Sequence, residues 1–270
     1  MGCADLPTEA GGLAAETLPV WCPTMAQPYI TLPSFATKDD GIEYFFGTRH
    51  SSIDVAPGLA TVPSRTVFGS RGPAILISVK QVHGADVLIV DQPVHDRQSF
   101  DGGWDALITD QPGLAVTVRT ADCVPVLLHD PVHRVVAAIH AGWRGAVAGI
   151  VPKTIDALAR RFGSRPSSLR MAVGPSAGSC CYEVDEPVLQ KLREVFPDWH
   201  LVVNGPPGPK RFLDLREFVR RQATMSGLAE GAIAVANVCT ICHPGLFFSY
   251  RREGVVKNTM VSGIALVSPR

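Results

Sequence analysis

The chain has 270 residues, with 25 Lys plus Arg against 25 Asp plus Glu, 46% hydrophobic residues and 19% charged ones. Zero net charge leaves no electrostatic footprint for nucleic acid or an anionic membrane surface, and the apolar content excludes wholesale disorder. No apolar run is long enough to span a bilayer and no signal-peptide pattern opens the chain, so a soluble, cytoplasmic protein is expected.

Residues 1–34, rich in Ala, Gly, Pro and Thr, predict a flexible N-terminal tail, leaving 35–270 as one domain. An apolar-aromatic run at 42–48 begins the structure. Runs rich in branched residues at 75–82, 87–90, 106–109, 114–118, 124–128 and 135–139 then predict strands, some continuous enough to be buried on both faces. Over 144–162 the period changes. Val147, Ile150, Val151, Ile155, Leu158 and Phe162 fall on one helical face that stops at Gly163. Pro152 inside this segment points to a kink or a late start. A strand at 169–173 follows, then helices at 187–196 and 213–225, with a Gly/Pro loop at 205–209 between them. Arg216, Arg220 and Arg221 give the second helix a basic face, read as solvated. Strands at 233–238 and 264–267 close the chain. The order predicts an α/β single domain, with mixed β-sheet layers flanked by helices concentrated in the second half.

Seven cysteines at irregular spacing make a poor disulfide framework. In a reducing setting such thiols serve as metal ligands, nucleophiles or small buried groups. Three segments carry a reactive side chain at a strand end: Lys80-Gln81-Val82-His83-Gly84, Thr120-Ala121-Asp122-Cys123-Val124-Pro125 and His140-Ala141-Gly142-Trp143-Arg144-Gly145. His, Cys and His from separate strand ends can form a three-ligand site with one open position, the catalytic zinc arrangement. Taken singly, each has a plainer reading: a hydrogen-bonded histidine, or a buried inert thiol beside proline. None of the gaps matches a short zinc signature.

Those three segments resemble the laccase-domain family, formerly described as multicopper polyphenol oxidases and now as purine nucleoside phosphorylases. Further matching pieces are Val173-Gly174-Pro175, Cys180-Cys181-Tyr182-Glu183-Val184, Cys239-Thr240 and Phe247-Phe248-Ser249-Tyr250-Arg251-Arg252, in family order. The resemblance implies a cysteine-hydrolase-like (cytotoxic necrotizing factor-type) architecture. It also implies an enzyme with Zn2+, copper being the other candidate metal, held by His83, Cys123 and His140, which would also be the catalytic residues. Its partners would be purine nucleosides and phosphate, with neither nucleic acid nor membrane, and a monomer is the favoured state. The implied reactions are phosphorolysis of adenosine, inosine, guanosine and methylthioadenosine, and deamination of adenosine at the same site.

Local chemistry extends the reading. Gly142 to Gly145 lie where a strand turns into a helix, so backbone N–H groups and Arg144 could hold phosphate; tight strand–helix packing is the alternative. Deamination needs a carboxylate to move the proton, for which Asp122 and Glu183 are candidates, although Asp122 could instead orient a ligand or cap a turn. The 174–182 loop reads as a pocket wall offering the Tyr182 hydroxyl, or as a plain loop with buried cysteines. Cys239 and Cys242 have redox or zinc-knuckle spacing, but no second pair follows them, so structural thiols are expected. Two departures from the family bear on substrate: a short Pro/Gly-rich 50–80 region, and Lys257-Asn258-Thr259-Met260 where relatives often carry Gly-Arg.

Three rival functions remain. A copper-dependent polyphenol oxidase shares the His, Cys, His ligand set, but eight histidines without one His-x-His cannot build a trinuclear cluster as well. A cysteine hydrolase would use Cys123 as nucleophile and His140 as base. A non-catalytic binding module would keep the site as a vestige.

Overall fold

The computed structural model describes residues 28–36, 40–53, 57–61, 75–92, 102–205 and 210–267. In chain order the first strands are β1 (Tyr29–Ile30), β2 (Ile42–Gly47), β3 (Gly58–Thr61), β4 (Ile75–Ser78), β5 (Val87–Val90), β6 (Ala106–Thr109), β7 (Leu114–Thr120), β8 (Val124–Asp130) and β9 (Val135–Ala141). Helices α1 (Trp143–Val147) and α2 (Ile150–Phe162) follow, then β10 (Arg170–Val173), β11 (Glu183–Val184) and α3 (Glu186–Val195). The remainder comprises β12 (Val203–Asn204), β13 (Arg211–Leu213), α4 (Leu215–Met225), β14 (Ile233–Val235), α5 (Tyr250–Glu253) and β15 (Met260–Leu266).

Strands β8 and β9 are buried along their whole length, which requires cover on both faces. Their alternation shows what supplies it. Val126, Leu128, Val135, Ala137 and Ile139 pack with Ile150, Val151, Ile155 and Leu158 of α2 and Phe218 of α4. Leu127, Val136 and Ala138 point the other way, onto Phe46, Ile77, Val116 and Ile264. The layers are therefore sheet, sheet, helices. One sheet runs β1-β2-β15-β7-β4-β3 and the other β14-β10-β8-β9-β6-β5, both mixed, with a small third sheet β11-β13-β12. Each large aliphatic side chain buried between the layers contributes about 1.5–3 kcal/mol. Among the described residues, no helix is long and apolar enough to cross a membrane.

Register places the strand ends that matter. In the antiparallel pair β8–β9, Val124 faces Ala141 and Pro125 faces His140. Strand β6 pairs antiparallel with β9 so that Ala106 faces Ile139. Cys123, His140 and Asp105 thus meet at one end of the second sheet.

Several boundaries differ from the sequence expectation. The tail ends before residue 34, because Tyr29–Ile30 pairs with β2 and Ile30 is buried in the inter-sheet core; residues 1–27 lie outside the described residues. The segment 144–162 is two helices, parted where Gly149 takes a left-handed φ of 81°. Pro152 is the third residue of α2, among the first four positions, whose N–H groups have no intrahelical acceptor. The start is late and needs no kink. Gly163, with φ 73°, ends α2 as expected, its N–H and that of Ser164 closing onto Ala159 and Leu158. Leu213 belongs to β13, because the Asp214 side chain accepts from Glu217 N and starts α4 there. Strand β4 stops at Ser78, leaving 81–84 as a loop. The arginines of α4 are half-buried and partnered rather than solvated. Arg216 donates to the Ala236 and Val238 carbonyls at 3.0 and 3.3 Å, while Arg220 and Arg221 both pair with Glu217. Most of the shortened 50–80 region and the tip of the 205–209 loop lie outside the described residues.

Candidate active site and metal centre

The His83 loop is built around one carboxylate. Asp105, fully buried just before β6, accepts from His83 N at 3.0 Å and His140 Nδ1 at 2.7 Å through Oδ1. Its Oδ2 accepts from Gly84 N at 2.6 Å and Val82 N at 3.2 Å. Three successive backbone N–H groups thus converge on Asp105 and hold His83 at a φ of 59°. That left-handed conformation costs a branched or ring-bearing residue of the order of 1–3 kcal/mol. Gln81 fixes the loop from the other side, its amide bonded both ways to the Arg119 backbone at 2.7 and 2.8 Å. The Asp105 carbonyl also accepts from His140 N at 2.7 Å. One residue therefore sets both histidines.

Cys123 is positioned by its neighbour. Asp122 has a φ of 92° and is nearly buried, with both carboxylate oxygens engaged. Oδ1 accepts from Thr240 Oγ1 at 2.6 Å, and Oδ2 from Ser249 Oγ at 2.9 Å and Arg251 N at 2.7 Å. These bonds tie the entrance of β8 to the 240s loop and to the start of α5. With both oxygens engaged in this way, the carboxylate suits the orienting reading better than that of a substrate or proton-moving group.

The three ligating atoms of His83, Cys123 and His140 lie within 4.8 Å of one another. Cys123 Sγ is 3.8 Å from His83 Nε2, and the two imidazoles stand edge to face with centroids 4.7 Å apart. Gly142 makes this approach possible. A Cβ there would lie 2.8 Å from His83 Cδ2 and 3.1 Å from Cys123 Sγ. Gly145 packs on the same loop, since its Cβ would meet the Gly84 carbonyl at 2.6 Å. Close packing therefore accounts for both glycines.

Electrostatics follow from the geometry. Burial works against ionisation of Cys123, but His140, which is hydrogen-bonded to it, and His83 outweigh burial and bring the thiol down to about 6. Burial likewise disfavours a charged His140, yet the Cys123 thiolate and the Asp105 carboxylate push it up to about 9. Asp105 is held below the usual carboxylate range: burial would raise it, and His140 with the Gly84 and Val82 N–H groups more than offsets that. The donor set suits a divalent metal. A ready thiolate and two imidazoles converge, His140 donates Nδ1 to Asp105 and so turns Nε2 inward, and Gly142 keeps clear the space that a Cβ would fill.

The other expected residues are placed less centrally. Arg144 is exposed, its guanidinium 4.5 Å above the Trp143 ring. Tyr182 is nearly buried beneath the Arg251 guanidinium at 5.1 Å; burial and the nearby Cys123 charge push its phenol up to about 12, against the pull of Arg251 and Arg144. Glu183 pairs with Lys210 at 3.5 Å and is not part of the ligand group. Sequence reading missed Asp105, which lies in none of the distinctive segments, and gave no role to Gln81, although Gln81 stands in the first of them. It also missed that Cys239 and Cys242 have a second pair. That pair precedes them: Cys180 and Cys181 join them in one cluster.

Residues 65–267 match the family described as multi-copper polyphenol oxidoreductase laccase. The chain belongs to that family. Similar members include a purine nucleoside phosphorylase of Bacteroides thetaiotaomicron, 35% identical over 203 residues that span 73% of this chain and 75% of that one. Adenosine deaminase RL5, from an unknown prokaryotic organism, is 31% identical over 252 residues, covering 85% and 96% of the two chains. The solved structure of the hypothetical protein YfiH of Bacillus licheniformis superposes with a TM-score of 0.74 at 28% identity, over 90% of this chain and 98% of that one.

Proposed function

We propose that this family member is a zinc-dependent purine nucleoside phosphorylase with adenosine deaminase activity at the same centre, working in the cytoplasm as a monomer. The observation that carries the reading is the convergence of His83, Cys123 and His140 within 4.8 Å, in a chain 35% identical to a protein named for that reaction. A zinc ion held by these three side chains, with a fourth position open, would supply a Lewis acid and lower the pKa of a water towards neutrality. A cation here would take the place of the His140 proton beside the Cys123 thiolate.

In phosphorolysis a phosphate oxygen forms a bond to ribose C1′ while the C1′–N9 bond breaks, and the electron pair leaves with the purine, which gains a proton. The chain's own residues divide this work by position. The first intrahelical bond of α1 runs from Ala146 N to Gly142 O, so the N–H groups of Trp143, Arg144 and Gly145 precede it and, with the Arg144 guanidinium, suit an anion. The Tyr182 hydroxyl keeps its proton throughout the neutral range and serves as a donor to ribose or base. Val82 and Tyr250, 48% and 54% exposed, flank His83 and Arg251 in the chain and offer apolar surface for a flat base.

The polyphenol oxidase reading is disfavoured by ligand supply, because His83 and His140 are the histidines that meet in a metal-ligating group among the described residues. The cysteine hydrolase reading draws on one feature: Cys123, His140 and Asp105 follow each other as nucleophile, base and orienting group, with 2.7 Å between the last two. The test incubates the metal-replete protein with inosine, with and without phosphate. Hypoxanthine and ribose 1-phosphate in equal amounts, formed only with phosphate, support the proposal. No phosphate-dependent product overturns it.

A further inference from the structure

Outside the first centre, the 174–182 loop after β10 and the 238–243 loop after β14 bring four cysteines together. The sulfurs of Cys180, Cys181, Cys239 and Cys242 all lie within 4.8 Å of one another. Cys242 Sγ is 3.5 Å from Cys180 Sγ and 3.3 Å from Cys181 Sγ. A tetrahedral zinc with bonds of about 2.3 Å separates its sulfurs by about 3.8 Å, so the 3.5 and 3.3 Å contacts would open by about 0.3–0.5 Å and no pair, at 4.8 Å or less, need close by more than about 1 Å.

Cys239 is the sulfur whose surroundings favour a thiolate, whereas burial pushes the Cys180, Cys181 and Cys242 thiols up. Gly178 N donates to Cys239 Sγ at 3.2 Å, and the N–H groups of Cys242 and Ile241 also point at that sulfur. Backbone N–H groups around a metal-held sulfur are the usual outer-shell support. Gly178 leaves room for this approach, since a Cβ there would lie 3.3 Å from Cys180 Sγ. Two guanidiniums brace the same turn: Arg252 donates to the Thr240 carbonyl at 2.8 Å and Arg216 to the Val238 carbonyl at 3.3 Å. They supply positive charge beside an anionic cluster.

We propose that Cys180, Cys181, Cys239 and Cys242 hold a second metal ion, a structural zinc, separate from the His83–Cys123–His140 centre. Binding replaces the four thiol protons by four sulfur–zinc bonds and releases those protons, with no change of oxidation state. Its work is to staple the two loops on which the first centre leans. The Asp122 carbonyl accepts from Ala177 N at 2.9 Å, and the Asp122 carboxylate from Thr240 Oγ1 at 2.6 Å.

The test measures zinc per chain by elemental analysis of the full-length protein purified under reducing conditions, alongside a thiol titration of the native state. Wild type is expected to hold two zinc ions, and the His83→Ala/His140→Ala variant one. Replacing that remaining ion with cobalt should give the intense charge-transfer absorption of a tetrathiolate site. The Cys180→Ser/Cys242→Ser variant should lose this ion, and chelation should lower the melting temperature of the His83→Ala/His140→Ala variant. One zinc in wild type, with the four cluster thiols titrating freely, overturns the proposal even where a variant folds poorly. A mass showing two protons lost in the absence of zinc, the mark of a disulfide, overturns it too. Neither result bears on phosphorolysis.

Discussion

Asp105→Asn is the sharpest probe of how the first centre is held. The carboxylate accepts from four donors, two on each oxygen: His140 Nδ1 at 2.7 Å and His83 N at 3.0 Å, Gly84 N at 2.6 Å and Val82 N at 3.2 Å. An asparagine has one carbonyl oxygen and one NH2, so in either orientation one pair of donors faces another donor. Leaving a buried group unsatisfied costs about 1–3 kcal/mol. Two such losses amount to about 2–6 kcal/mol, a large share of a domain stability of about 5–15 kcal/mol. If the amide turns its oxygen to the loop, His140 loses the partner that fixes its tautomer; if it turns the other way, the loop at His83 loosens. Both outcomes weaken the ligand set, and loss of an outer-shell partner of this kind typically lowers metal affinity 10–100-fold. The assay is zinc affinity by chelator competition, with denaturant unfolding in parallel. Wild-type affinity and stability in the variant would refute the role given to Asp105.

Gly142→Ala should act on the centre and spare the fold. Its φ of −72° and ψ of 163° suit any residue, but the added Cβ would sit 2.8 Å from His83 Cδ2. Zinc affinity should fall about tenfold or more with an unchanged circular dichroism spectrum, and unchanged affinity would contradict the packing described. In metal-free protein, alkylation of Cys123 by iodoacetamide should rise with a midpoint near pH 6, as the thiol is brought down to about 6, and zinc should suppress it. A midpoint above 8 would show that the imidazoles do not charge the thiol. Buried His129, pulled down to about 4 by burial and then by the Arg170 charge, stays neutral in the native state at pH values where the unfolded chain, with a pKa of about 6.5, takes up a proton. Stability should therefore fall as pH drops from about 6.5 to about 4, by roughly 3 kcal/mol. Denaturant melts of His129→Leu should lose that part of the slope, whereas an identical pH profile would refute it.

The elements that proved legible were those whose burial is local. Val87–Val90 and Ala106–Thr109 emerge as strands at the expected bounds, and the continuous apolar character of β8 and β9 does follow from cover on both faces. The three candidate ligands were visible because each sits in a distinctive segment. What escaped depends on pairing across the chain. Asp105 meets His140 through the β6–β9 register, 35 residues away, and nothing near Trp104-Asp105 marks it. Cys181 reaches Cys242 across 61 residues, so a pair judged solitary in sequence has company in space. The solvated reading of Arg216, Arg220 and Arg221 failed because Glu217 and the Ala236 and Val238 carbonyls, lying beside them in the fold, offered partners.

Phosphorolysis at the His83–Cys123–His140 centre is tested most directly by one comparison, in which wild type and His140→Ala, each of known metal content, are given inosine and phosphate and the release of hypoxanthine is followed. Wild type is expected to form hypoxanthine and ribose 1-phosphate together, only with phosphate present, and the variant to lose that turnover with its metal. No product from zinc-replete wild type, or undiminished turnover in a folded, metal-depleted His140→Ala, would contradict it.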